Sequence, residues 1–158
     1  MEIAELGNVF ALIGAALAVL LTGVGAAIGT GIVQQAAAGV VSEKPEKFGK
    51  TLILQLIPSS GALYGFVVGF LILTNTPVMG GADAAYSAAD GLAILALSLP
   101  IAFVGLLATI AQAKVCAAGV RMIGKNDELA GRALTMAVFI ELFTLFALIV
   151  SILGVLAL

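Results

Sequence analysis

Glu141 lies in the run TMAVFIELFTLFALIV, and no other charged residue occurs between Ala133 and Leu158. A lone ionisable group in a stretch this apolar is costly at mid-membrane, on the order of 3 kcal/mol even on lenient scales. It must face protein or water, find a partner, or hold a proton, so its default chemistry is reversible binding of a cation or proton. Counting from the charged connections gives its depth: Glu141 is 12 residues past Leu129, Gln112 is 12 before Gly124, and Ser60 is 12 past Phe48. Each interval is about 18 Å of helix, so the three polar positions share one level. Pro58 lies at that level too, and it deprives the Leu54 carbonyl of its helical donor. Carboxylate, amide oxygen, hydroxyl and free carbonyl are hard oxygen ligands suited to a small hard cation. Tyr64, one turn beyond Ser60, and Thr144, three residues past Glu141, are positioned to donate a hydrogen bond to the carboxylate.

Other chemistries fall away on composition. The 158 residues include no histidine, which removes His-based catalysis and His-ligated zinc, and the single cysteine, Cys116, allows no intrachain disulfide. Apolar types make up 62% and charged types 10%, too few for the polar shell of a water-soluble fold of this size. With a net charge of -2 there is no basic field for nucleic acid, and the apolar excess excludes disorder. Glu2 and Glu5, with no basic residue before the apolar core, argue against a cleavable signal.

The elements that carry Glu141 follow from the charge map. Uncharged stretches run over residues 8–41, 51–82, 91–113 and 133–158, the third extending to about Gly124 past Lys114 and Arg121. Each exceeds the ~20 residues a membrane helix needs, and none alternates with the period of a strand. The expected fold is an all-α membrane protein of four transmembrane helices. All seven basic residues, Lys44, Lys47, Lys50, Lys114, Arg121, Lys125 and Arg132, lie in or beside the first and third connections, while the second holds only Asp83 and Asp90. The positive-inside rule therefore puts both basic loops in the cytoplasm and both termini outside. The same basic loops offer a docking surface to a soluble partner.

The chain repeats itself. Ala37-Ala38-Gly39-Val40 pairs with Ala117-Ala118-Gly119-Val120, and Gly49-Lys50 pairs with Gly131-Arg132. Two tandem helical hairpins of like orientation are expected, over residues 1–82 and 83–158, the second carrying the carboxylate. The repeat puts Ser59 at the place equivalent to Glu141, so one carboxylate serves two hairpins. Small residues occur on several faces of the first helix: Gly14, Ala18, Thr22, Gly25 and Gly29 form one row, and Gly23, Ala27 and Gly31 another. Such spacing lets helix backbones approach closely. It points to a homo-oligomer with the first and third helices innermost, in which Gly25→Leu or Gly29→Leu is expected to block assembly.

GVGAAIGTG, KPEKFGKTLILQLIPSSGALYGF, SLPIAFVGLLATIAQAKVCAAG and Glu141 together make the chain resemble the duplicated proteolipid, the c or K subunit, of V-type rotary ATPases. The resemblance covers essentially the whole chain and is nearest to bacterial K subunits of sodium-motive enzymes. It implies a ring of identical subunits in the cell membrane, in contact with lipid and turning against a stator membrane subunit that supplies an Arg. A central-stalk subunit would dock on the cytoplasmic loops. ATP would be hydrolysed by other subunits, since the resemblance gives this chain no hydrolytic site and no organic cofactor. By the same resemblance Glu141 is the ion-binding carboxylate, with Gln112 and Ser60 as side-chain ligands and Ile57 as a backbone ligand. Tyr64 hydrogen-bonds the carboxylate. Gly61 stands where the sodium-binding pattern has a second Gln, with water expected in the gap, and Gly61→Gln is expected to tighten binding. Leu142 and Phe143 replace polar residues that can follow the carboxylate. The transported ion is thus Na+ or H+, and the resemblance leans to Na+. A proton-only ring, a small four-helix channel and a Glu-dependent carrier remain alternatives.

Overall fold

A computed structural model describes residues 3–79 and 86–158. Asp83 and the expected boundary between residues 82 and 83 lie outside the described residues. Helix α1 spans Ile3–Glu43, α2 Phe48–Leu56, α3 Ser60–Thr74, α4 Ala88–Lys125 and α5 Ala130–Leu156. A 3-10 turn over Ile57–Ser59 joins α2 to α3, so the two form one broken span. The chain therefore has four spans long and apolar enough to cross a membrane, and no strand among the described residues.

Local sequence explains each boundary. Lys44 leaves the helical region (φ -138°, ψ 77°) because Pro45 follows it. Pro58 sits at the second position of the turn that divides α2 from α3. There Ser59 Oγ donates to Leu56 O at 2.6 Å and Ser60 Oγ donates to Ile57 O at 2.9 Å. The two hydroxyls satisfy carbonyls at a break that lipid could not. Ser87 caps α4 by accepting from Asp90 N at 3.1 Å.

Small residues let α1 lie close on α4. Its buried stripe is Ala11, Ala15, Ala18, Thr22, Ala26, Val33 and Ala37, into which α4 sends Ile94, Ile101, Val120 and Ile123. A methyl group at Gly25 would lie 2.9 Å from both the Cα and the carbonyl oxygen of Leu106 in α4. At Gly29 it would lie 3.2 Å from Pro58 Cβ and 3.2 Å from Ala113 Cβ. These contacts lie within a single chain, between α1 and the second and third spans. Gly23 and Gly31, in the second row, face no atom within 4 Å.

Two apolar clusters fill the bundle. One gathers Ala11, Ala15, Val68, Ile72, Ile101 and Val155, and the other Val33, Leu54, Cys116, Val120, Ile123 and Ala133. Between them along α1 and α4 lies a level holding Thr22 and Thr109, both almost fully buried. At one end of the bundle the two basic connections meet. Lys44 Nζ donates to Gly124 O at 2.7 Å, and Asp127 pairs with Lys47 and, at 2.7 Å, with Lys50. At the other end Tyr86 N donates to Asn8 Oδ1 at 3.1 Å.

Candidate ion-binding site

Glu141 projects from the middle of α5, flanked along that helix by the buried residues Ala137 and Thr144. Its two carboxylate oxygens reach different helices. Tyr64 Oη on α3 donates to Oε1 at 2.7 Å, while Gln112 Nε2 on α4 lies 3.4 Å from Oε2 and 3.2 Å from Ala137 O. Gln112 is 3% exposed, so its amide is held by these acceptors in place of water.

Ser60, Ile57 and Ser59 join Glu141 in lining an open cavity of about 400 Å³, rimmed by the exposed side chains of Ile53, Leu56 and Leu63. The structure thus brings four of the expected residues, Glu141, Gln112, Tyr64 and Ser60, and the Ile57 backbone into one neighbourhood. Thr144 is buried on the inner side of α5, and the carboxylate's hydrogen bond comes from Tyr64 instead. Leu142 and Phe143 are exposed on the outer side beside Glu141. Among the described residues no cluster of three or more His, Cys, Asp or Glu occurs. One carboxylate with neutral oxygens matches a monovalent charge.

Two features escape a reading along the sequence. Gly61 is buried, and a methyl group there would collide with Thr109 Oγ1 of α4. A Gln side chain at this position would therefore have to displace the Thr109 hydroxyl before it could add the expected ligand. The Ala137 carbonyl is the second acceptor for Gln112, a contact set by how α4 and α5 pack.

The ATP synthase C-subunit family matches the chain twice, over residues 13–72 and 95–154. The two matches start 82 residues apart (13 to 95), so the family's unit occurs in tandem. The chain is 43% identical over 150 residues to the K subunit of the V-type sodium ATPase of Enterococcus hirae, covering 95% of this chain and 92% of that one. It is 33% identical over 141 residues to the K subunit of the A-type ATP synthase of Methanocaldococcus jannaschii, covering 89% of this chain and 59% of that one. A third relative, from the V-type proton ATPase of Candida glabrata, is its c' subunit. It is 31% identical over 142 residues, covering 90% of this chain and 84% of that one.

Proposed function

The chain belongs to the ATP synthase C-subunit family, and from that premise we propose that it is a rotor-ring subunit of a V-type rotary ATPase that carries Na+ across the membrane on Glu141. The observation that carries the reading is the carboxylate itself, held between Tyr64 and Gln112 at the break in the second span and lining a cavity with Ser60 and Ile57. A site of this kind binds an ion, holds it through a rotation, and releases it where the surroundings change. Identical copies in a ring, two hairpins dividing near residue 82, a stator subunit supplying an Arg, and a stalk docked on the paired basic loops complete the machine. Both basic loops then lie in the cytoplasm and both termini outside, as the positive-inside rule requires. ATP hydrolysis belongs to other subunits.

Sodium is favoured over a proton by the ligand chemistry. A proton site needs only a carboxyl group in an apolar cradle, whereas here an amide, a hydroxyl and a stretch of irregular backbone surround the carboxylate. The relative at 43% identity is named for sodium, and the one at 31% for protons. The deciding measurement is ATPase rate of the assembled complex against sodium concentration, at neutral and at mildly acid pH. A rate that rises with sodium supports the reading, and a rate indifferent to sodium at both values leaves a proton ring.

The ligand set makes its own prediction. Gln112→Ala and Ser60→Ala should each weaken sodium binding while leaving the ring assembled. A buried ion–dipole contact contributes roughly 1.5–3 kcal/mol, about 10- to 100-fold in affinity. Sodium protection of Glu141 against carbodiimide modification reads that affinity directly. Unchanged half-protection in both variants would remove Gln112 and Ser60 from the site.

A further inference from the structure

Gly61 of α3 and Thr109 of α4 are packed directly against each other. Gly61 is the second residue of α3, directly after Ser60 and the broken turn, and its missing side chain leaves a gap in the wall nearest α4. The Thr109 hydroxyl fills that gap, so close that even a methyl group at residue 61 would overlap it. Thr109 is 1% exposed, and it precedes by one turn the Gln112 whose amide lies against Glu141. An oxygen is thereby delivered from α4 to the place where a longer side chain on α3 would otherwise extend. Along α3, Gly61 directly follows Ser60, and along α4, Gln112 follows Thr109 by one turn, so the hydroxyl lies on the seam between two of the helices that carry the site.

We infer that the Thr109 hydroxyl is a ligand of the transported monovalent cation, supplying from α4 the oxygen that Gly61 cannot supply from α3. The inference rests on the sodium reading above and extends it by one residue. A hydroxyl is a neutral hard oxygen of the same class as Ser60, so it adds coordination without adding charge to a site balanced by one carboxylate. Glycine at 61 is then a requirement of the arrangement, because any Cβ there would expel the hydroxyl.

The test measures the sodium concentration that half-protects Glu141 from carbodiimide modification, in membranes carrying the assembled complex. Thr109→Val keeps the shape and removes the oxygen, and should raise that concentration about tenfold. Thr109→Ser keeps the oxygen and should stay near wild type. Gly61→Gln alone should weaken protection or prevent ring assembly, because the new side chain meets Thr109. Combined with Thr109→Gly, which clears the space, it should restore protection through the Gln amide oxygen. If Thr109→Val protects as wild type does, or if Gly61→Gln alone binds sodium more tightly, the Thr109 hydroxyl is not a ligand. If the wild-type ring shows no sodium protection at all, the sodium reading itself falls, a result distinct from a failure confined to the variants.

Discussion

Glu141→Gln should leave rings assembled and abolish ion-coupled transport. The amide is close in shape to the carboxylate and still accepts the Tyr64 hydrogen bond, now found at 2.7 Å, so packing of α5 on α3 is retained. What it lacks is the charge that draws a cation out of water. Removing one partner of a buried charge pair costs on the order of 3–5 kcal/mol, more than about 100-fold in affinity. No other carboxylate lies between residues 133 and 158 to substitute for it. Ion uptake into vesicles and carbodiimide labelling are the measurements, with native electrophoresis as the control for assembly. Transport at wild-type rate in this variant would end the rotary reading altogether.

The second large effect separates two rows of glycine that look alike in the sequence. Gly25→Leu should disrupt the subunit itself, because its first side-chain carbon would lie 2.9 Å from backbone atoms of Leu106 that cannot rotate aside. Overpacking a tight site costs about 1–3 kcal/mol, and collision with backbone puts this change at the upper end. Gly23→Leu, by contrast, meets nothing within 4 Å in the single chain. It should leave the folded subunit intact and act on the contacts between copies, where small residues let helices approach. Yield and thermal unfolding of detergent-solubilised protein report the first effect, and ring recovery on native gels reports the second. Equal behaviour of the two variants in both assays would refute the division of faces.

Much of the site is legible in the linear order because depth in a membrane is a matter of counting. Equal intervals from the charged connections put Glu141, Gln112 and Ser60 at one level, and in the folded chain Gln112 lies against Glu141 while Ser60 lines its cavity. Pro58 likewise announces a break, since a missing amide hydrogen interrupts a helix wherever it falls. The pairing of Thr109 with Gly61 is not legible in this way, because 48 positions separate them and nothing local links a hydroxyl on one helix to a gap on another.

By itself the sequence determines the number of spans, the end at which the basic connections gather, the tandem repeat, and the isolation of one carboxylate. These follow from composition and periodicity along the chain, where the cost of placing charge in lipid acts residue by residue. The tertiary structure alone decides direction around each helix axis. Whether Gly25 or Gly23 meets a neighbour depends on the angle at which α1 lies on α4, and whether Tyr64 or Thr144 reaches Glu141 depends on how α3 and α5 are rotated. A helix with small residues on several faces is permissive about that angle, so the choice falls to the packing of side chains such as Ile101, Val120 and Thr22 across the interface.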